Sequence, residues 1–297
     1  MSESIEKTKI PRSMTQQRKI GTIIRWVIAA FLIFFSIFPL LWIISASLNP
    51  TGTLATARLI PKNPGFGNFK NLIGNPTFPF FTWFWNSIKI TTITTFLTLI
   101  LTTMAAYAFS RFRFSGRTTI LKAILLIQVF PNLLSIVALF LILTQFGTII
   151  PAIGLNTHLG LIIVYLGGAM GMNIWLMKGY MDTIPREIDE SARVDGATDW
   201  QIFWRLILPL LRPILVVIGI LSFIGTYGDF IVARTLLKTT ELYTVMVGLQ
   251  IYTSGMFSQK WGIFAAGALI SALPIMVIYL TLQDQIVGGL TQGAVKG

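Results

Sequence analysis

The chain of 297 residues contains no cysteine, which excludes disulfide frameworks and thiolate metal sites. It has one histidine, His158, set in a stretch that reads as a loop, so neither a metal centre nor a catalytic imidazole is expected. Charge is scarce as well. Only 11% of residues are charged, against about a quarter in an ordinary soluble domain. No Gly-x-x-x-x-Gly-Lys-Ser/Thr phosphate loop occurs, so the chain cannot hydrolyse ATP by that route. What fills the space is apolar: 54% of residues are hydrophobic. A soluble protein of this length has no need of so much, whereas a protein solvated by lipid does.

Six apolar segments are long enough to cross about 30 Å of hydrocarbon, near residues 24–46, 86–109, 119–143, 159–177, 213–234 and 261–282. The first, running from Trp26 to Ala46, is too long for a secretory signal and is not clearly followed by a small-residue cleavage site. The net charge of +12 does not point to nucleic acid, because the bases are divided among the connections between spans. Counting alternate connections, sixteen Lys and Arg fall on one side and six on the other. The richer side includes the N-terminal arm, the segment with Arg111, Arg113, Arg117 and Lys122, and the segment from Lys178 to Arg212. The positive-inside rule then predicts that both termini and the 178–212 segment face the cytoplasm. Pro39, Pro131 and Pro274 fall inside spans and imply kinks. The run Gly167-Gly168-Ala169-Met170-Gly171 has the spacing of a close helix-packing face.

The stretch from Met181 to Arg212 is the most polar segment away from the ends and reads as two short helices around a turn. Glu187 and Asp189 suit a helix start, and Ile184, Ile188 and Ala192 repeat every four residues as one apolar stripe. Asp189 and Arg193 are spaced for an i,i+4 ion pair. Gly196 suits a left-handed helix end, and Thr198 stands three residues before Gln201, the spacing of a capping box. The second helix then passes Trp200, Phe203 and Trp204 into Leu-Ile-Leu-Pro-Leu-Leu-Arg-Pro. Two readings are open from the residues alone: an amphipathic connector, or a docking element in which Ser191, Ala192 and Ala197 admit a partner's surface and Glu190 and Asp195 meet its bases.

Glu190-Ser191-Ala192, three residues, Gly196, then Leu208-Pro209 resembles the EAA loop of ATP-binding-cassette (ABC) importer permeases; Ser191 replaces the usual second residue, a small-for-small change. The resemblance implies an all-α polytopic membrane protein with the type I ABC importer permease fold. It divides into an N-terminal arm (1–23), a first transmembrane helix (24–46), an outer loop (47–85), a core of five transmembrane helices (86–282) carrying a coupling loop (181–213), and a cytoplasmic tail (283–297). In that family the loop is a coupling helix seated on an ATP-hydrolysing subunit, which assigns Glu190, Ser191, Ala192, Asp195, Gly196 and Ala197 to ATPase contact. Segments 86–116, 154–168, 271–274 and 287–297 are together similar to the shorter permease subunits of maltose and maltodextrin importers. That resemblance implies a longer second permease, a pair of ATPase subunits holding ATP and Mg2+, an external solute-binding protein, no cofactor on this chain, and transport by alternating access. It also places tail residues Gly293, Val295, Lys296 and Gly297 against the ATPase. The third outer loop, with Gly248, Gln250, Tyr252 and Gly255, becomes a candidate for reaching into the binding protein and probing sugar.

Two features are left for the structure to place. The aromatic run from Phe78 to Trp85 reads as an interfacial belt or a sugar-stacking surface. Asp229 is the only acid deep in an expected span; it must face protein or water, either paired with Arg234, in a helix contact between subunits, or as the ion-coupling residue of a stand-alone secondary transporter. Internal repeats common in such transporters are not evident. Besides maltodextrin, another oligosaccharide or a polyol remains compatible with the coupling loop.

Overall fold

A computed structural model describes residues 14–50, 59–130, 132–254 and 259–292. No strand occurs among them. The long helices are α1 (Met14–Leu48), α3 (Phe80–Arg111), α6 (His158–Met181) and α13 (Trp261–Gln292). Between them lie α2 (Gly67–Ile73), α4 (Arg117–Val129), α5 (Asn132–Ile149), α7 (Glu187–Val194), α8 (Asp199–Ile202), α9 (Leu208–Leu210), α10 (Arg212–Gly228), α11 (Ile231–Leu236) and α12 (Val245–Gln250).

Four helices are by themselves long and apolar enough to cross a membrane. The third expected span is divided into α4 and α5, whose axes over Arg117–Val129 and Leu134–Ile149 lie 107° apart. Pro131, at that division in the sequence, lies outside the described residues. The fifth expected span is shorter than its apolar run suggests. α10 ends at Gly228, the backbone of Asp229 is extended (φ −67°, ψ 130°), and a separate short helix follows. Before α10, the segment Asp199–Leu210 meets it at 75°, where Pro209 and Pro213 each withhold a backbone N–H. Pro39 and Pro274, by contrast, lie inside unbroken helices.

α3 is the central element, packing most extensively on α6 and next on α10, while α1 runs beside α13. Thr91, Thr94, Thr98 and Thr102 are buried along α3 at spacings of three and four, and small side chains of this kind let membrane helices approach closely. The Thr102 hydroxyl donates to the Thr98 carbonyl at 2.6 Å and that of Thr103 to Leu99 at 2.6 Å. α1 differs: its apolar face, including Trp26, Phe31, Phe34 and Phe35, is exposed, as a helix facing lipid or another subunit must be.

The two larger of three apolar cores among the described residues lie along the bundle. One gathers Phe80, Trp83, Leu161, Tyr227, Leu236, Val245, Leu249 and Tyr252. The aromatic run before α3 is therefore divided: Phe80 and Trp83 are buried, with the Trp83 indole donating to the Thr240 carbonyl at 2.7 Å, and only Phe81 and Trp85 stand exposed as belt residues would. A Cβ on Gly248 would lie 2.0 Å from the Trp83 ring, so glycine is required there by close approach. Gly248→Val is expected to lower stability by about 1–3 kcal/mol through overpacking, read as a lower unfolding temperature in detergent, and Trp83→Leu in the same chain should recover part of the loss.

The candidate coupling site

The second core lies at the other end of α3 and includes the segment after α6. Ala106 and Tyr107 of α3, Met177 and Met181 of α6, and Ile218 of α10 pack with Ile184, Ala192, Ile202, Phe203, Ile207 and Leu211. Ile188 and Ala192 are thus on the face that α7 turns inward, and Ile184 joins them from the turn before that helix; Ile184 and Ala192 are buried and Ile188 partly so. Each apolar side chain removed from water here contributes on the order of 1.5–3 kcal/mol when fully covered, enough to hold a short helix that would not persist alone.

The turn forms as its residues dictate. Gly196 has φ +85°, Gly196 N–H donates to Arg193 O at 3.0 Å, and Ala197 N–H reaches back to Ala192 O at 2.9 Å, closing the carbonyls of the last turn. Thr198 and Gln201 form the reciprocal capping box that starts α8. Beyond it, Phe203–Ile207 is a π-helical turn, a widening that shifts the register of the chain as it enters the elbow before α10.

One side chain does not go where spacing suggested. Asp189 is 2% exposed and pairs with Arg111, at the last turn of α3, at 2.6 Å. Arg193 turns outward to Asp199, donating from Nε at 3.1 Å and from Nη2 at 2.9 Å. The i,i+4 pair gives way because a buried guanidinium left unpaired costs more than an exposed helix pair returns. Around the buried pair, Arg111 Nη2 donates to Ile184 O at 3.1 Å and Arg186 Nη2 to Ser110 O at 2.8 Å. The Ser110 hydroxyl donates to Asp182 Oδ1 at 2.6 Å, and Lys178 pairs with the same carboxylate. Burial by itself raises the Asp182 carboxyl, but Lys178 and the Ser110 hydroxyl outweigh it and hold the group below the usual carboxylate range. This clamp of Ser110, Arg111, Asp182, Asp189 and Arg186 was not legible as a site, since Arg111 and Arg186 read only as topology-setting bases.

Outside the clamp the opposite face is open. Glu190, Ser191, Asp195 and Gly196 are exposed and Ala197 half-exposed, while Ala192 belongs to the core. Val194 is 88% and Trp200 60% exposed, an apolar pair on a segment otherwise rich in charge. Nothing lies within 4 Å of a Cβ placed on Gly196. The expected contact residues thus form one ridge, with Ala192 serving as its internal anchor.

The other expected sites fare unevenly. Gly248 and Tyr252 are buried; Phe78 packs edge-on against the Tyr252 ring at 5.8 Å, so these two residues hold the core and are not free to probe a sugar. Gln250 is partly exposed. Gly255 and the tail residues Gly293, Val295, Lys296 and Gly297 lie outside the described residues. Asp229 does not pair with Arg234. Its Oδ1 accepts from the Tyr165 hydroxyl at 2.8 Å and the Ala233 N–H at 3.1 Å, whereas Arg234 points to Tyr243. His158 Nε2 lies 2.9 Å from the Leu242 carbonyl, a structural contact between α6 and the loop before α12.

These elements form a polytopic α-helical bundle with a folded, exposed helical loop at one end of α3, the architecture of a membrane permease. Residues 100–289 match the family described as the binding-protein-dependent transport system inner membrane component, and the chain belongs to that family. The maltose/maltodextrin transport system permease protein MalG of Vibrio vulnificus is 47% identical over 274 residues, covering 88% of this chain and 91% of that protein. MalG of Escherichia coli is 44% identical, with 88% and 90% covered. The galactooligosaccharides transport system permease protein GanQ of Bacillus subtilis is 41% identical over 285 residues, with 96% and 99% covered. The fold matches that of a chain in the crystal structure of a bacterial ABC transporter that imports the acidic polysaccharide alginate, with a TM-score of 0.78, 24% identity, and 94% of this chain and 99% of that one covered.

Asp189→Asn is expected to destabilise the protein by about 3–5 kcal/mol, because it leaves Arg111 buried and uncompensated. Replacing both partners, Arg111→Met with Asp189→Leu, should restore most of that loss. Thermal unfolding of the purified variants in detergent separates the two outcomes.

Proposed function

We propose that this chain is one of two different permease subunits of an ATP-driven importer that carries neutral oligosaccharides, of the maltodextrin kind, into the cytoplasm. The observation that carries the mechanism is the ridge from Glu190 to Ala197, exposed on one face and pinned on the other by the Arg111–Asp189 pair. A surface of this form suits a soluble motor: Glu190 and Asp195 meet basic groups, Val194 and Trp200 supply apolar area, and Gly196 permits close approach.

ATP and Mg2+ belong in this reading to a pair of separate ATPase subunits, and this chain takes part in no bond-making. Closure of the ATPases displaces the ridge, and the paired permeases switch from inward-open to outward-open. An external solute-binding protein delivers the sugar. The excess of bases on the N-terminal arm, the 111–122 segment and the 178–212 segment supports cytoplasmic termini by the positive-inside rule. Membership of a binding-protein-dependent family argues against a stand-alone carrier driven by an ion gradient. A galactooligosaccharide is the second reading of the substrate, favoured by the nearly full-length similarity to GanQ.

Co-purification of the tagged chain from its native host, after gentle solubilisation, is expected to recover an ATPase and a second, longer permease. Glu190→Lys, or Gly196→Trp, should retain the second permease and membrane insertion while losing the ATPase. Recovery of the ATPase at wild-type levels in both variants would remove the docking role, and vesicle uptake of labelled maltotriose against galactobiose decides the substrate.

A further inference from the structure

At the end of the bundle away from the coupling loop, a cavity of about 590 Å³ opens between the segment after α1, helix α2 and the start of α13. Its size is within the range of roughly 300–1,000 Å³ usual for small-molecule sites. Lys70, Asn71, Asn75, Gln259 and Lys260 line it, with Asn68 behind them. The wall is built rather than incidental. Asn68 is buried and donates from Nδ2 to Ser47 O and Asn49 O, each at 2.9 Å, which fastens α2 to the end of α1. A Cβ on Gly262 of α13 would lie 2.4 Å from the same nitrogen, so α13 packs closely against that amide.

Charge and hydrogen-bonding capacity here are one-sided. Residues 49–85 and 242–262, from which the cavity is made, include no Asp or Glu but carry Arg58, Lys62, Lys70 and Lys260. Among the described residues, neither the Lys70 nor the Lys260 ammonium has an ion-pair or hydrogen-bond partner. Two of the amides have their carbonyl oxygens already taken. Asn75 Oδ1 accepts from Thr77 N–H at 2.9 Å and Phe78 N–H at 3.2 Å, and Gln259 Oε1 accepts from the Trp261 indole at 2.8 Å. Each amide keeps N–H groups that meet no acceptor among the described residues. A sugar hydroxyl donates as well as accepts and so needs acceptors too; two ammoniums beside amide N–H groups match an anion. The depth is also fixed. α1 ends at Leu48 and α13 begins at Trp261, and both helices are long and apolar enough to cross a membrane. The cavity therefore lies at a bilayer surface, the level at which tryptophan collects.

We propose that this cavity holds the phosphate group of an anionic membrane phospholipid. Lys70 and Lys260 pair with its charge, and the Asn75 and Gln259 amides donate to its oxygens. Lysine meets phosphate as a point charge, and its long stem lets the ammonium reach headgroup level. A lipid headgroup fits better than a free phosphate ion, because the cavity opens at the bilayer surface and has more room than a phosphate group needs. Bound there, the headgroup would tie α2 to the start of α13 through the two lysines. The inference depends on neither the transported solute nor the direction of transport, and it holds whichever face of the membrane this end of the bundle meets.

The test titrates the purified transporter in detergent with phosphatidylglycerol, phosphatidylcholine or inorganic phosphate and counts the bound molecules by native mass spectrometry. The wild type is expected to retain phosphatidylglycerol in preference to phosphatidylcholine. Lys70→Gln with Lys260→Gln should bind one molecule of it roughly thirtyfold more weakly, the scale of two lysines beside an anionic headgroup. Lys70→Arg with Lys260→Arg should restore retention. Lys62→Gln with Lys238→Gln, which removes two lysines outside the cavity, should leave it unchanged. All four lysines are exposed, so folding is not at issue in these variants. An equal loss in the two glutamine pairs would overturn the proposal, since it marks attraction to charge alone. Equal retention of the two lipids would overturn it as well. Binding of inorganic phosphate with no lipid retained would give the site to the free ion. Unchanged lipid retention in Lys70→Gln with Lys260→Gln, together with loss of the solute-binding protein, would give it to acidic groups of that protein; either result contradicts the lipid assignment.

Discussion

The buried ion pair between Arg111 and Asp189 is the constraint on which the loop end of this molecule depends. An ion pair so far out of water adds little net stability relative to apolar packing, because desolvating both charges offsets much of their attraction. What it provides is position. Arg111 ends the central helix, Asp189 lies in the first helix of the loop, and the guanidinium reaches Ile184 O as well. With Arg186 returning to Ser110 O and Asp182 taking the Ser110 hydroxyl, the loop is held to α3 from several directions. A connector with no such attachments would yield when pushed.

The same helix joins both ends of the bundle. At one end α3 carries Tyr107, which packs against Phe203 at 5.0 Å between ring centres; at the other it carries Trp83, bonded to Thr240. Its threonine face lies in its close packing with the neighbouring helices. A single continuous helix thus connects the loop with the core around Trp83, and under the proposed function a displacement applied at the loop would travel along it. α10 offers a second route, entering from the elbow at Leu211 and ending at Gly228.

Much of the loop was legible because its signals are local. Gly196, the Thr198–Gln201 box and the stripe of Ile184, Ile188 and Ala192 each need only the residues nearby. The partner of Asp189 was not, since Arg111 is distant in sequence and the nearer Arg193 satisfies the helical spacing equally well. Hydropathy located the apolar segments but not their breaks: it contains no information about α10 ending at Gly228, because residues 230–233 continue the apolar run. Trp83 read as a belt residue for the same reason. Its burial is decided by Gly248, and no periodicity connects the two.

If the clamp transmits force, its removal should separate hydrolysis from transport while leaving the protein folded. The decisive quantity is the number of sugars moved per ATP hydrolysed by the reconstituted complex bearing Arg111→Met with Asp189→Leu, a change that keeps the core filled. A fall in that ratio, with the ATPase still bound and active, is the outcome the clamp requires. A ratio equal to that of the wild type would mean that apolar packing alone carries the motion and that the ion pair only orients the loop.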